Sequence, residues 1–563
     1  MLSPHSSREN CPTRPTFPQE IWWLVAQQLT DRRDFDSLFL CARLSRGMAT
    51  VALPLLYSIH DRSPAINAHI LDIETSVCLW RSIIVSSLGE TLYPYCCWIK
   101  ALKLGNLHSH LEDLARDNAG LKARFFSPPL QKLQIRRRGR ALNIDAIVIE
   151  VANMVTERIR FDADRMDKRV GLTSLEGFYL PIANLPKWVS SLSCLTTLVV
   201  RDGSVLTSDV ARAVRANCPA FREVQVDPNL GLKECYYCKG TDADEELAGF
   251  FKCLEPNTLE SFIVLSVNEI GAETFKALRE HSRSLKALSL LSLERPGLQS
   301  LNELGDCLAL EMLTLEAASS AQLYPWATES KGVFEQVVQW LRKCSSLRVL
   351  EFILVPSSTT ILAQVLEEPT IRLTTLSLEA VDVDNDFYSS LTRQSQLRRL
   401  LVKILDDDLL EDSDQRHLLF ADAICYCRQL RDLDTNELFT VEDLDNISTA
   451  VPTLEEIVLN GDSIDDEFLI PLSRLSKLKS LSIFNPSNIS ASALLRFLGE
   501  IGQSPAEHHE GLQVYIANQN AEFRFSEEEE AMVARTILAS FKGRFEINYR
   551  QDPDELHESD FSD

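Results

Sequence analysis

The feature that most constrains this chain is a spaced hydrophobic hexad that recurs along most of its length. Aliphatic or Phe residues at the first, fourth and sixth places occur as Leu195-Leu198-Val200, Phe221-Val224-Val226, Leu259-Phe262-Val264, Leu285-Leu288-Leu290 and Leu310-Leu313-Leu315. The pattern returns as Leu347-Leu350-Phe352, Leu373-Leu376-Leu378, Leu397-Leu400-Val402, Leu454-Ile457-Leu459 and Leu478-Leu481-Ile483. Weaker copies are Leu130-Leu133-Ile135, Leu172-Leu175-Phe178 (displaced by one at its third place) and Leu430-Leu433. Within the groups starting at 172, 259, 347 and 430, successive copies begin 23 to 26 residues apart. A fixed period of this size means one small unit stacked many times. Such a stack shares one elongated core, so the roughly three or four separate domains that length alone would suggest are not required.

The hexad has a physical cause. Its last three places alternate, which points two aliphatics to one side of a short strand, and the rest of each repeat must carry the chain back past a helix. Thr274–His281 and Val333–Cys344 carry apolar residues at helical spacing, as in Val333, Val337, Trp340 and Leu341. The period is that of leucine-rich repeats and predicts an α/β fold, a solenoid with parallel strands on its concave face and helices on its convex face. Cys218, Cys307, Cys344 and Cys427 each stand three residues before a leading hydrophobe, where a small buried thiol fits under the next strand. That phase resembles the cysteine-containing class of leucine-rich repeats found in substrate-recognition subunits. The 14 cysteines are too sparse for a disulfide scaffold and read as reduced, intracellular thiols. Four intervals, 130 to 172, 221 to 259, 315 to 347 and 402 to 430, are longer than one repeat and imply insertions on a rim. One holds Tyr324-Pro325-Trp326, either a contact point or aromatics tucked under a helix. Another holds Asp406-Asp407-Asp408 with Glu411, Asp412 and Asp414, a solvated acidic loop.

Before the repeats, Phe17-Pro18-Gln19-Glu20-Ile21 opens a helix with Pro18 in its first turn and apolar positions 21, 24, 25 and 28/29 on one face. A second helix comes next in Asp34–Arg46, and the segment then runs through Ala49 to Pro54-Leu55-Leu56-Tyr57. Three short helices in some forty residues cannot bury a large core alone, so such a module often completes its apolar surface on another protein.

These residues resemble an F-box, whose pattern runs L-P-x-E-I, I-x-x-x-L, D-L-x-x-L, then C-R-x-x-R or L-S-R, ending in fungal members with A-x-P-x-L-Y. Pro18, Glu20, Ile21, Val25, Leu29, Asp34, Leu38, Cys41, Leu44, Ser45, Arg46, Pro54, Leu56 and Tyr57 match. Phe17 and Phe35 replace two leucines, and Met48 stands where an aromatic is usual. The resemblance implies a non-catalytic substrate-recognition subunit of an SCF ubiquitin ligase. In that family the F-box docks on the Skp adaptor, through which cullin and the RING subunit are joined, and the repeats hold a protein substrate. Carried over by position, Phe17, Pro18, Ile21, Val25, Leu29, Leu38 and Leu44 are the adaptor-facing or motif-core residues. The alternative is an interaction scaffold bound to the adaptor without directing ubiquitylation.

The repeat register also places a substrate surface. Residues three, five and seven of each strand alternate away from the core. On the later strands these are Met312, Thr314, Glu316; Val349, Glu351, Ile353; Thr375, Ser377, Glu379; Arg399, Leu401, Lys403; Asp432, Asp434; Glu456, Val458, Asn460; and Ser480, Ser482, Phe484. Earlier rows are Thr197, Val199, Arg201 and Glu223, Gln225, Asp227. Glu316, Glu351, Glu379, Arg399, Lys403, Asp434, Glu456 and Phe484 are the candidate substrate-binding residues. Acids outnumber bases here, which favours a basic or mixed-charge polypeptide and tracks the net charge of −24 of the whole chain.

That charge disfavours nucleic-acid and anionic-membrane partners, with Arg136-Arg137-Arg138-Arg140 read as a solvated edge. Cys235-Tyr-Tyr-Cys238 has zinc-ligand spacing but lacks a second ligand pair, and no phosphate-binding, nucleophile-elbow or metalloprotease motif occurs. No cofactor, metal or catalytic residue is expected. With no secretion signal and no apolar run long enough to span a bilayer, the chain is expected in cytoplasm or nucleus. The expected organisation is a disordered 1–15, an F-box at 16–59, a helical linker and the start of the solenoid over 60–129, repeats over 130–511, a cap over 512–551 and a disordered acidic tail at 552–563. Ser526 with Glu529 forms a capping box that opens the cap helix, and Arg544–Tyr549 reads as a last strand.

Overall fold

The computed structural model describes residues 18–63, 73–116, 119–137, 139, 141–166, 171–177, 180–226, 242–265, 268–321, 324, 326–381, 385–405, 413–460, 464–484, 488–503, 509–518 and 524–549. Expectations for Phe17, the two termini, Cys235 and Cys238, and the run from Asp406 to Asp412 fall outside them. The described chain divides into two compact units, 1–200 with 212–221 and 201–211 with 222–563.

The first unit begins with helices α1 (Gln19–Asp31), α2 (Phe35–Leu44) and α3 (Arg46–Ser58), and then α4 (Ile73–Ser87). Its strands are β1 (Ala101–Lys103), β2 (Ser174–Gly177) and β3 (Thr197–Val200), paired in parallel in that order. The strand β1 lies outside the predicted copies, although Ile99, Leu102 and Leu104 spell the hexad and are buried. Conversely, Leu130–Leu133 is a 3-10 turn and not a strand. Both leucines are buried, because residues three apart in a 3-10 turn also share a side. In β2 the third core place belongs to Gly177, which pairs with Val200, and the Leu180 side chain fills the space a Cβ there would take.

The second unit carries β4 (Glu223–Val226), β5 (Ser261–Val264), β6 (Ala287–Leu293), β7 (Met312–Ala317), β8 (Val349–Ile353) and β9 (Thr375–Val381). It continues with β10 (Arg399–Ile404), β11 (Asp432–Leu438), β12 (Glu456–Asn460), β13 (Ser480–Phe484), β14 (Gln513–Asn518) and β15 (Arg544–Tyr549). Each pairs in parallel with the next. The register is that of the hexads: Leu313, Leu350, Leu376 and Leu400 are successive partners, and all are fully buried.

Return segments are helical where the spacing predicted. Lys331–Lys343 is a helix that buries Val337, Trp340 and Leu341, and Ala272–Leu278 precedes β6. The recurrent cysteines are buried and lean on main-chain carbonyls: Cys218 on Leu192 (3.3 Å), Cys344 on Trp340 (3.4 Å) and Cys427 on Ala423 (3.7 Å). Burial pushes the thiols of Cys218, Cys307, Cys344 and Cys427 up to about 12, so they pack rather than react. Tyr324 and Trp326 are buried as well, which assigns that insertion to packing. Arg295 stacks over the Tyr324 ring at 4.1 Å and Gln299 donates to its hydroxyl.

At the C-terminal end, the Ser526–Glu529 capping box opens the helix Glu527–Phe541. β14 adds a strand within the segment expected to be a cap, with Val514 and Ile516 buried beside Leu481 and Ile483 of β13. No helix among the described residues is long and apolar enough to cross a membrane.

Candidate functional site

The N-terminal helices form a small core and leave several large apolar side chains exposed. Ala26 of α1, Leu38 of α2 and Val51 of α3 are buried together, with Leu29, Leu55, Leu56 and Ile59 packed around them. Short polar residues fix the turns. The Asp34 carboxylate accepts the Ser37 N–H at 3.0 Å to cap α2, and these bonds to Ser37 hold its carboxyl below the ordinary value. Ser45 accepts from Met48 N–H at 3.1 Å to cap α3, whose Met48 is buried.

On the outside, Ile21, Leu24 and Val25 of α1 and Phe39, Leu40 and Leu44 of α2 are all exposed, from 42% at Ile21 to 72% at Leu44. Trp23 is exposed beside them in sequence. These helices thus carry apolar residues on both their inner and their outer sides. The structure therefore divides the six of the seven motif residues that it describes. Ile21, Val25 and Leu44 are exposed, as is Pro18 at the start of α1, whereas Leu38 is core and Leu29 is half-buried against it. The motif does not single out Phe39 and Leu40. Their signal lies in the unbroken run Leu38-Phe39-Leu40, which a two-sided helix needs.

The third helix is tied to α4 and to the turn Tyr95–Cys97. The Tyr57 hydroxyl lies 2.6 Å from Ser82 Oγ on α4, and its ring stacks on Tyr95 with centroids 4.6 Å apart. Burial pushes the Tyr57 phenol up to about 12.

In the second unit, the strand residues named as substrate-binding lie on the sheet face opposite the buried leucines, and charge is distributed unevenly along it. On β7 to β9, Glu351 accepts from Thr314 Oγ1 at 2.9 Å, and Ser292 reaches Glu316 at 3.4 Å. Burial raises the Glu316 carboxyl, the Ser292 hydrogen bond opposes this, and the neighbouring Glu379 raises it further. On β10 and β11 the charges cancel in pairs, Arg399 with Asp432 at 3.0 Å and Lys403 with Asp434 at 3.2 Å. On β13 and β14, Phe484 and Tyr515 lie side by side, with ring centroids 5.4 Å apart, both half-buried. Glu456 is exposed on β12. The face thus runs from acidic, through ion-paired, to aromatic.

The same strand β11 carries a buried charge on its other side. Glu437 accepts from the Tyr388 hydroxyl at 2.6 Å and faces Arg416 Nε at 3.4 Å. Neither Glu437 nor Arg416 is accessible to a ligand, so this cluster belongs to the core. Among the described residues no group of three His, Cys, Asp or Glu side chains is placed to hold a metal ion.

No protein-family model matches this chain, and no curated protein does. Among solved structures, the yeast Rad7 and Elc1 complex is similar at 13% identity and a TM-score of 0.33, over 68% of this chain and 93% of that one. The TLR13–ssRNA13 complex is similar at 12% identity and a TM-score of 0.26, over 62% of this chain and 57% of that one. The Drosophila Toll–Spatzle complex is similar at 11% identity and a TM-score of 0.20, over 64% of this chain and 62% of that one.

Proposed function

We propose that the chain is a substrate-recognition subunit of an SCF-type ubiquitin ligase. In this reading α1 to α3 are an F-box that docks on the Skp adaptor, and the concave face of the repeat strands binds a protein substrate. The observation that carries the reading is the exposure of Ile21, Leu24, Val25, Phe39, Leu40 and Leu44, at the place where the F-box pattern matches. Covering exposed side chains of this kind contributes roughly 25 cal/mol per Å² of apolar surface removed from water. The ion-paired and acidic strands supply orientation and selectivity more than affinity.

The chain's own contribution is proximity. Adaptor and substrate held on one chain raise the effective concentration of substrate lysines near the conjugating enzyme, and no residue of this chain performs covalent chemistry on the substrate. Affinity purification of the tagged chain beside a Pro18→Ala, Ile21→Asp variant tests the reading. Adaptor and cullin recovered with the wild type alone are the expected result. Adaptor without cullin supports a scaffold, and recovery of neither removes the F-box reading.

A further inference from the structure

Cys96 and Cys97 occupy surroundings unlike those of the repeat cysteines. They end the single turn Tyr95–Cys97, and their Sγ atoms are 3.9 Å apart. Cys96 is fully buried, and its N–H is anchored on Ser86 Oγ at 2.8 Å. Cys97 is half-buried and directs its S–H to Asp162 Oδ2 at 3.2 Å. Arg158 donates to the same oxygen at 2.9 Å, offsetting the carboxylate charge. Arg158 and Asp162 line a cleft with Ser86, Gly89, Thr91 and the exposed Leu92. A small neutral molecule in that cleft meets Asp162, the acceptor of the Cys97 thiol, and Cys97 is itself partly exposed.

We propose that Cys96 and Cys97 are a modification site, at which a peroxide forms a reversible disulfide between these neighbouring residues. The Cys97 thiol passes its proton to Asp162 Oδ2, the thiolate attacks one peroxide oxygen and the O–O bond breaks. The departing hydroxide takes the thiol proton as water and leaves Cys97 as a sulfenic acid. The Cys96 sulfur then attacks the Cys97 sulfur. An S–S bond forms, the S–O bond breaks, and the departing hydroxide takes the Cys96 proton as a second water. Two thiols lose two electrons and the peroxide gains them.

Adjacent Cα atoms are about 3.8 Å apart, closer than the ~4.4–6.8 Å of ordinary disulfides, so the bond closes a strained ring and is readily reduced. Lability of this kind marks regulatory rather than structural disulfides. Closing the ring also withdraws the S–H donor from Asp162 and strains the turn that holds Tyr95 against Tyr57 at the end of α3.

The test uses the full chain, treated with hydrogen peroxide, alkylated without reductant and digested with trypsin. The peptide Ser82–Lys100 contains these two cysteines and no others. It is expected to lose both alkyl groups and to weigh two hydrogens less than the dithiol form, with both adducts restored when dithiothreitol precedes alkylation. Cys97→Ser abolishes this product, while replacement of the exposed Cys78 by Ser leaves it unchanged. The proposal is overturned if both cysteines stay alkylatable after Cys78 is oxidised, or if the peptide is recovered only as sulfonic acids or cross-linked to another peptide. An equal yield from the urea-unfolded chain also overturns it, since the folded geometry would then contribute nothing.

Discussion

The Thr314 hydroxyl on β7 donates to the Glu351 carboxylate on β8 across 2.9 Å, between residues that the strand register sets directly side by side. The contact fixes which side of β8 is which. Glu351 lies on the side away from the core, and the adjacent Leu350 is fully buried on the other.

Two substitutions one residue apart should therefore behave oppositely. Leu350→Asp removes a buried side chain and introduces a charge into the core, a loss of about 4 kcal/mol or more that should collapse the thermal unfolding transition. Glu351→Lys with Glu379→Lys should change the melting temperature little and weaken substrate capture several-fold. Parallel melting curves and pull-downs check both, and matching effects on stability would contradict the register.

Asp244 is predicted to give the repeats an acid-sensitive joint. From the helix Ala243–Cys253 its carboxylate accepts the N–H groups of Gly271 (2.8 Å), Glu273 (3.0 Å) and Thr274 (2.9 Å), capping the next repeat's helix. Burial alone would raise its carboxyl, but the hydrogen bonds from Thr274, Gly271 and Glu273 prevail and lower it. With a folded value below the unfolded one, the stabilisation is present above the ordinary carboxylate value of 3.8 and is lost as pH falls through the folded value. Asp244→Ala should cost about 2 kcal/mol at neutral pH, and the gap from wild type should narrow in acid. Denaturant melts at both pH values measure it.

The buried Glu437 and Arg416 make a second stability prediction. Glu437→Ala removes the carboxylate that faces Arg416 and accepts from Tyr388, at a cost of about 3–5 kcal/mol. Arg416→Met with Glu437→Leu should recover most of that loss, because an apolar pair of similar volume carries no desolvation cost. Urea unfolding of the single and double variants distinguishes this from a cost that simply adds.

Gly543 lets β15 close on β14. A Cβ at this position would run into main-chain atoms of Leu512, which cannot move without disturbing β14. Gly543→Ala should loosen β15 and expose 544–549 to limited proteolysis while the earlier strands stay protected.

Much of this architecture is legible in the residues, and the exceptions have physical reasons. Leu347, Leu350 and Phe352 announce β8 because neighbouring copies stand one period away on the C-terminal side. Ile99, Leu102 and Leu104 carry the same signal for β1, but β2 comes more than one period later, so periodicity lends no support. At β14 the register aligns Gly511 with Leu478, and the missing leading leucine hides the repeat. For the N-terminal helices, the pattern marks positions but not which way they point. Leu38 and Leu44 both match the motif, yet one is core and the other is the most exposed of the α2 leucines. The charge balance along the strands is visible in the sequence only as an excess of acids. Its division into a hydroxyl-bonded acidic part and a self-paired part depends on which strands are neighbours.

The most direct test of the central claim is the affinity of the purified chain for purified Skp adaptor, measured by calorimetry beside an Ile21→Asp, Leu44→Asp variant. Both substituted side chains are exposed, so the variant should fold with the wild-type melting temperature. The account predicts a one-to-one complex with the wild type and at least a hundredfold weaker binding by the variant. No binding by the wild type, or equal binding by both, would contradict the assignment of these helices as the adaptor-docking surface.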